Sequence, residues 1–306
     1  MEIQEIQKAF MSAIPSIRTP FTKGGNIDFI SLRRMVDFCI DGGSTALVIT
    51  MGDSLFTSLS EQEIVDVTRT VVQQSAGRAA VAACTGYWNT RQCVEFARTV
   101  REIGVDILML LGSNWYPGIC CADDIVNHFK AVADEIPVMA NTGYLGWHGH
   151  PTGLEVTKRL VDEVPNVIAA KADVTGEYDR KTCLIAGEKW AIFSGGTKQF
   201  HLDLYPYGCK GHMATFITFR PEITHKYWNA ITKGDIPTAV SVIKDYDYPF
   251  FEMISGLPGG FDAGMHALDE IFGSGQRYRR LPYHSLDDAD IDRLRAFFVE
   301  TLGFKI

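Results

Sequence analysis

Residues 165–173, Pro165-Asn166-Val167-Ile168-Ala169-Ala170-Lys171-Ala172-Asp173, contain a short run of small and apolar residues that ends on a lysine. The Pro-Asn pair indicates a turn, and the run from Val167 to Lys171 has the length and composition of a β-strand buried on both faces. In a parallel barrel, Lys171 would lie at the C-terminal mouth, where barrel enzymes keep their chemistry. Desolvation there would lower its pKa and make the amine a nucleophile towards a carbonyl carbon. The alternative is a lysine that reaches from the strand end into solvent.

A short apolar strand followed by an amphipathic helix is a pattern that recurs along most of the chain. Thr45 to Thr50 is a second buried strand, and Ser60-Glu61-Gln62-Glu63 is a capping box that opens the next helix. Asp28 is predicted to cap an earlier helix. Eight such alternations in roughly 230 residues predict one (β/α)8 TIM barrel over residues 1–233. A doubly wound sheet is the alternative, although it usually has fewer repeats.

The pattern changes after Lys233-Gly234-Asp235. Residues 237–253, 261–272 and 287–302 have helical spacing, with no clear strand between them. We therefore predict a C-terminal helical extension over residues 234–306 that packs beside the barrel.

The overall charge of the chain excludes some classes of partner. The 306 residues carry a formal charge of -8 at pH 7, which argues against a nucleic-acid or anionic-membrane partner. The seven cysteines have no zinc or redox spacing and are interpreted as free thiols in a reducing compartment. No apolar run reaches membrane-spanning length, and Met1 to Lys8 lacks the apolar core of a secretory signal. We therefore expect a soluble cytoplasmic protein.

The loop after the second strand is a candidate for substrate binding. In Thr50-Met51-Gly52-Asp53-Ser54, the glycine lets backbone amides approach a ligand, and the two hydroxyls could bind a carboxylate. A tight turn between a strand and a helix would explain the same residues.

Six motifs, spread over nearly the whole chain, resemble those of a known enzyme family. They are Thr19-Pro20-Phe21 with Gly25 and Asp28, Gly42-Gly43, Gly52-Asp53, Asn166 to Lys171, Gly208-Cys209-Lys210-Gly211-His212, and Arg279-Arg280-Leu281-Pro282 before an acidic-capped helix. On these motifs the chain resembles the dihydrodipicolinate synthase and N-acetylneuraminate lyase family of class I aldolases. The resemblance implies a lyase in which a lysine on strand six forms a Schiff base with a 2-oxo acid, most often pyruvate. Lys171 holds that position, so we expect a covalent imine there and neither a metal nor a separate cofactor.

The resemblance also implies a carboxylate-binding loop after strand two. The family's Gly-Thr-Thr-Gly-Glu loop carries over to Thr50, Gly52 and Asp53, which we expect to bind the substrate. Ile49 and Met51 replace a glycine and a threonine of that loop. The loss of one hydroxyl weakens the expected carboxylate site, and Met51 narrows it. The resemblance further implies that the end of strand seven, with Ser194 and Gly195, lines the pocket.

Strand five departs from the family's pattern, which has a tyrosine that shuttles protons. Counted from Pro137, Asn141 occupies the tyrosine position, and an amide cannot relay protons. We keep Asn141 as a substrate-binding candidate. Tyr144, three residues later, would supply a phenol instead, unless a water takes that role or Tyr144 is an exposed loop residue. After strand four, Tyr116 is a candidate for positioning the relay, although packing between subunits would explain it equally well.

The segment after strand five also lacks the arginine that often holds a second carboxylate in this family. His148 and His150 stand there, and a metal site at them is disfavoured because their spacing is short and no acidic ligand is evident. We therefore expect a lyase or aldolase acting on pyruvate or on a keto acid with a sugar-derived or aromatic tail, rather than a true dihydrodipicolinate synthase. A sugar-acid dehydratase of the same family and a keto-acid-binding barrel without turnover are the alternatives. The resemblance also implies a homo-oligomer, either a dimer or a tetramer.

Overall fold

The computed structural model describes residues 1–113 and 118–306, and every strand pair among them is parallel. Strands that follow one another along the chain are also neighbours in the sheet. The strands are β1, in two pieces (Ala13–Ile14 and Ser16–Ile17), β2 (Ala46–Ile49), β3 (Ala80–Cys84), β4 (Ile107–Leu110), β5 (Val138–Asn141), β6 (Val167–Ala172), β7 (Ala191–Ser194) and β8 (Gly211–Met213).

The sheet closes on itself at Pro15, which divides β1. The first piece of β1 pairs with β8, with Ala13 opposite His212, and the second piece pairs with β2, with Ile17 opposite Ile49. Proline has no N–H to donate, but its carbonyl still accepts a hydrogen bond from the Val48 amide at 3.2 Å. The two pieces of β1 therefore join opposite edges of one sheet, and the predicted (β/α)8 barrel is confirmed.

Helices surround the strands in the predicted alternation. Those of the barrel are α1 (Ile3–Phe10), α2 (Phe29–Asp41), α3 (Glu61–Ser75), α4 (Thr90–Ile103), α5 (Ala122–Ala133), α6 (Thr142–Trp147), α7 (His150–Glu163), α8 (Glu177–Ala186), α9 (Lys198–Leu204) and α10 (Pro221–Thr232). Two predicted caps are present. Asp28 accepts the Ser31 amide at 3.0 Å, and Ser60 and Glu63 form a reciprocal capping box.

Three of these helices were not predicted from the sequence. Helix α1 precedes the first strand, whereas α6 and α9 follow β5 and β7 directly. Asn141 caps α6 by accepting the Tyr144 amide at 2.9 Å, and Thr197 caps α9 by accepting the Phe200 amide at 3.3 Å. Helices this short have too few turns for an apolar periodicity to be recognised, so their sequences resemble loops.

The C-terminal residues form a second helical layer. Helix α11 (Ile236–Val242) continues through a π-helical turn into α12 (Tyr248–Ser255), and α13 (Gly260–Ile271) and α14 (Asp288–Ala296) follow. Their apolar cluster also includes Phe216 and Tyr227, which precede residue 234, so the predicted boundary between residues 233 and 234 stays a prediction. None of the helices in the described part of the chain is long and apolar enough to cross a bilayer.

A buried ion pair ties this second layer to the barrel. Arg18, next to the end of β1, donates from Nη2 to Asp269 Oδ1 of α13 at 2.6 Å, and both side chains are at most 5% exposed. Removing either partner would leave the other charge buried and unpaired, which is strongly destabilising. Helix α13 is therefore held firmly over the C-terminal mouth of the barrel.

Candidate active site

Lys171 lies at the C-terminal end of β6, between Asn141 of β5 and Phe193 of β7 in the sheet register. Its side chain is 13% exposed and lines two cavities, one of about 390 Å³ and one of about 150 Å³. The larger cavity extends towards β2–β5, and the smaller one lies beneath the C-terminal helices. The ammonium therefore faces the interior of the barrel mouth, as the sequence predicted for a catalytic lysine.

Asp173 is the immediate partner of this lysine. Both of its carboxylate oxygens accept from Lys171 Nζ, with Oδ2 at 2.6 Å, and Asn141 Nδ2 donates to the same Oδ2 at 2.7 Å. The position that holds the family's tyrosine thus carries an amide that orients a carboxylate. The sequence analysis quoted Asp173 but gave it no role. Its position two residues after Lys171 was the available signal, because side chains two residues apart along a strand lie on the same face.

Gly195, at the end of β7, leaves the space that this ion pair occupies. A Cβ at position 195 would overlap Asp173 Oδ1 and lie 3.0 Å from Lys171 Nζ. The Gly195 amide donates to the carbonyl of Ala172 at 2.7 Å, so its backbone cannot easily move away. Glycine is therefore required by the close approach of two side chains rather than by an unusual backbone angle.

Gly195→Ala is expected to lower kcat/KM by at least about 100-fold, because a displaced catalytic group loses its near-attack geometry. Gly24→Ala is the matched control, since a Cβ there would meet no atom closer than 3.9 Å and the backbone needs no positive φ. Steady-state kinetics of both variants, with circular dichroism to verify folding, test the expectation. Equal activity of the two alanine variants would contradict it.

The loop after β2 forms the opposite wall of the larger cavity, which is lined by Thr50, Gly52 and Asp53. The Thr50 hydroxyl accepts from the Asp53 amide at 3.1 Å and donates to no acceptor among the described residues, so its proton can be donated to a ligand. Thr19 Oγ1 donates to the Ser54 carbonyl at 2.7 Å, and Ser54 Oγ donates to the Ile17 carbonyl at 2.5 Å. These two bonds fix the loop to the end of β1.

Arg280 holds the other end of this loop. Its guanidinium donates to the Ser58 carbonyl at 2.8 Å and to both carboxylate oxygens of Glu63 at 2.9 Å. Hydrogen bonding from Arg280 lowers the pKa of Glu63 to about 2. Arg280 of the C-terminal Arg-Arg-Leu-Pro motif thus holds the loop after β2 to the start of α3.

Tyr144 is buried on α6 and lines the larger cavity, so it is not an exposed loop residue. A Cβ on Gly112 would lie 2.5 Å from its hydroxyl and 3.0 Å from His128 Nε2, so these two groups converge over Gly112. Burial raises the pKa of the Tyr144 phenol. A phenol that holds its proton this firmly can donate a hydrogen bond but is a poor base.

The remaining predicted residues are arranged differently. Ser194 lines neither cavity. It is paired in the sheet with Ala172, the residue after Lys171, and successive side chains of a strand point to opposite faces. The Ser194 side chain therefore faces the helical layer. Its hydroxyl is buried and has no partner among the described residues. His148 packs edge-on against Tyr144, and His150 packs against Tyr178. Tyr116 lies outside the described residues, so its role stays a prediction.

Comparison with known proteins identifies the family. A profile of the dihydrodipicolinate synthetase family matches residues 9–298. The chain belongs to this family. It is 27% identical over 292 residues to an uncharacterized DapA-like lyase of Rhizobium meliloti, covering 92% of both chains. It is 33% identical over 183 residues, 58% of this chain and 61% of the relative, to the 4-hydroxy-tetrahydrodipicolinate synthase of Bacillus subtilis strain 168.

The solved structures agree on the fold of the family. YagE, a prophage protein of E. coli K12 from the dihydrodipicolinic acid synthase family that was crystallised with pyruvate, superposes with a TM-score of 0.82. The match is 19% identical and covers 95% of this chain and 98% of YagE. Members of the dihydrodipicolinate synthetase family are lyases of the class I aldolase type, so this chain is an enzyme of that type.

In this member of the family, a second buried carboxylate, that of Asp179, holds the loop that carries Asp173. Asp179 Oδ2, on α8, accepts the Val174 amide at 2.8 Å and the Thr142 hydroxyl at 3.2 Å. The Thr142 oxygen in turn accepts the Asp173 amide at 2.7 Å. Burial raises the pKa of Asp179 to about 7. Asp179 is therefore a positioning residue for the loop that carries Asp173, and sequence reasoning missed it.

The raised pKa of Asp179 predicts a pH-dependent stability. An exposed aspartate loses its proton near pH 4, whereas folded Asp179 keeps it to about pH 7, so folding becomes less favourable as the pH rises through this interval. Asp179→Asn has no such ionisation and should gain stability relative to the native chain above pH 7, by up to about 4 kcal/mol. Melting temperatures of both proteins at pH 5 and pH 8 test this. A difference in Tm that is the same at both pH values would rule it out.

Proposed function

We propose that this lyase acts on a 2-oxo acid through an imine between the substrate ketone and Lys171. The observation that carries the proposal is the side chain of Lys171 at the barrel mouth, 13% exposed, lining two cavities and paired with a carboxylate. Of the nucleophilic side chains, only an amine can convert a ketone into an imine. The imine then accepts electrons from the neighbouring carbon.

Asp173 supplies the proton transfers that imine formation requires. As an ammonium, Lys171 has no lone pair, so it must first give a proton to a base, and Asp173 Oδ2 lies 2.6 Å away. The free amine then attacks the substrate carbonyl. Asp173, now protonated, gives that proton to the carbonyl oxygen, and it then carries a second proton from the attached nitrogen to the same oxygen, which leaves as water. Asn141 keeps the carboxylate aligned throughout by its hydrogen bond to Oδ2.

The loop after β2 binds the substrate carboxylate. The Thr50 hydroxyl has its proton available, and the Gly52 amide donates to no carbonyl in the described part of the chain. A Cβ at Gly52 would meet no atom within 4 Å, which leaves open space for a ligand next to this amide. Asp53 donates its backbone amide to Thr50 Oγ1, and the residue lines both cavities.

Once the imine has formed, the same groups serve bond cleavage or formation next to it. Asp173 removes or returns the proton at the reacting carbon, while Tyr144 donates a hydrogen bond from its firmly held proton. Dehydration of a sugar-derived 2-oxo acid would use the same imine, with a carbon–oxygen bond breaking instead of a carbon–carbon bond. The absence of the family's strand-five tyrosine and arginine favours a substrate other than that of a true dihydrodipicolinate synthase.

Borohydride reduction in the presence of pyruvate tests this function. We expect the intact mass to increase by one reduced pyruvyl group, and peptide mapping to locate the adduct at Lys171. Lys198 is the internal control, because it is also buried but is paired with Asp247 away from both cavities. An adduct at Lys198, or no adduct with any of a panel of 2-oxo acids, would contradict the proposal.

Two narrower expectations accompany this function. An assay for 4-hydroxy-tetrahydrodipicolinate formation should detect no turnover in conditions where pyruvate is trapped, and turnover there would identify a true synthase. We also propose a dimer or tetramer, as the family resemblance implies, and a cytoplasmic location, which the seven free cysteines favour. Light scattering on the purified chain measures that assembly, and a monomer at micromolar concentration would exclude it.

A further inference from the structure

The smaller cavity beside Lys171 lies between the barrel mouth and the C-terminal helices. We name it the tail chamber, and its volume is about 150 Å³. It is lined by Ser16, Arg18, Asp53, Lys171, Gly196, Met213, Thr215, Thr218, Phe251, Phe261, Asp262 and Met265. Because Lys171 and Asp53 also line the larger cavity, a substrate attached to Lys171 can reach into both cavities.

The part of the tail chamber contributed by the C-terminal helices is mainly apolar and aromatic. Phe251 of α12 and Phe261 of α13 stack with their ring centroids 5.9 Å apart and their planes 16° from parallel. Met265 of α13, together with Met213 of β8, adds polarizable side chains that adapt to a flat ligand. An apolar cavity of roughly 150 Å³ is large enough to bind benzene. The chamber therefore has the size and lining for one six-membered ring.

The charges of the chamber disfavour a second anionic group on the substrate. The two cations on its wall are already paired, Arg18 with Asp269 at 2.6 Å and Lys171 with Asp173. Asp53 and Asp262 make no ion pair among the described residues. Burial, together with the negative charge of Asp53, raises the pKa of Asp262. A carboxylate or phosphate in the chamber would face these carboxyl groups without a free cation, which works against binding.

We propose that the tail chamber holds an uncharged, ring-sized tail, so that the substrate is a 4-hydroxy-2-oxo acid with an aromatic ring at C4. This inference rests on the proposed imine at Lys171. In the cleavage direction, the imine accepts the electron pair of the C3–C4 bond, the C4 hydroxyl gives its proton to Asp173, and an aromatic aldehyde leaves. The resulting enamine takes that proton at C3, and water then hydrolyses the protonated imine to release pyruvate and restore Lys171 as the ammonium.

Condensation of pyruvate with three aldehydes tests the proposal on the full chain. The probes are benzaldehyde, which has the ring, acetaldehyde, which lacks it, and glyoxylate, which carries a carboxylate. Product formation is followed by liquid chromatography and mass spectrometry, and borohydride trapping of pyruvate is measured in parallel. We expect kcat/KM for benzaldehyde to exceed that for glyoxylate by at least about ten-fold, since a well-filled apolar pocket discriminates on this scale.

Two substitutions connect this preference to the chamber. Phe261→Ala should lower the ratio of kcat/KM for benzaldehyde over glyoxylate by at least about ten-fold. Phe297→Ala is the matched control, because Phe297 is a partly buried phenylalanine in the same apolar cluster but does not line the chamber. Asp262→Asn should raise kcat/KM for glyoxylate, because it removes a facing carboxyl group.

The outcomes separate this inference from the proposed function. The assignment of the tail chamber is overturned, while the imine mechanism remains, if the native chain traps pyruvate but prefers glyoxylate or acetaldehyde to benzaldehyde. The same follows if Phe297→Ala changes the ratio of kcat/KM for benzaldehyde over glyoxylate as much as Phe261→Ala does. If native chain traps no 2-oxo acid, the proposed function itself fails.

Discussion

Replacing Lys171 by alanine is expected to abolish borohydride trapping and to lower kcat by about 10⁴-fold or more, the scale seen when a covalent nucleophile is removed. The reason is that no other lysine lines the two cavities among the described residues. The other cationic side chain there is Arg18, whose guanidinium is paired with Asp269 and is not a nucleophile. Asp173 keeps its hydrogen bond from Asn141 in this variant, so the fold should be retained. Single-turnover kinetics and intact mass after reduction measure the effect.

Two controls accompany this variant. Lys171→Arg preserves the positive charge beside Asp173 but supplies no nucleophilic amine, so it should be equally inactive while keeping the native melting temperature. Lys210→Ala removes an exposed lysine just before β8 and should leave trapping at the native level. Residual turnover in Lys171→Ala above one hundredth of the native rate would mean that the chemistry does not pass through this amine.

Asp173→Asn is expected to lower kcat by about 10²–10⁴-fold, the usual contribution of a general acid or base. Asparagine preserves the size of the side chain and can still accept from Asn141, but it cannot take a proton from Lys171. Trapping of pyruvate should persist at a slower rate, because the nucleophile is still present. Rapid-quench trapping of pyruvate and steady-state kcat measure these two effects separately.

Tyr144→Phe is the control that distinguishes the two candidates for proton transfer. Its phenol keeps its proton firmly, so we expect a loss of less than about ten-fold in kcat. If Tyr144→Phe lost more activity than Asp173→Asn, the tyrosine would be the relay and Asp173 would serve only to orient the lysine.

The order of elements was readable from the sequence because it depends on local patterns. Strands such as Ala46–Ile49 and Val167–Ala172 are continuous apolar runs, and the capping box at Ser60 marks the start of its helix within a few residues. Repetition of these patterns identified a barrel. The lysine was also readable, since a charge at the end of a buried strand is unusual.

The partners of Lys171 were much harder to predict. Asn141 and Asp173 are 32 residues apart along the chain, and whether they meet depends on the register of β5 against β6. A shift of one residue in that register would turn every side chain to the opposite face of the sheet. Ser194 illustrates the same dependence, because it ends the predicted strand but its side chain faces the helices rather than the cavity.

The tail chamber depends even more on the tertiary structure. It brings Arg18 from the start of the chain together with Phe251, Phe261 and Asp262 from near its end. No local pattern connects residues so far apart, and the packing of α12 and α13 over the barrel mouth creates the cavity.

The sequence by itself determined the barrel, the enzyme family and the place of Lys171 at the end of a buried strand, because apolar periodicity, helix caps, short motifs and a charged residue at a strand end are properties of neighbouring residues. Only the tertiary structure decided which groups surround that lysine. The ion pair with Asp173, the space left by Gly195 and the aromatic wall of the chamber all depend on strand register and on helix packing across the whole chain.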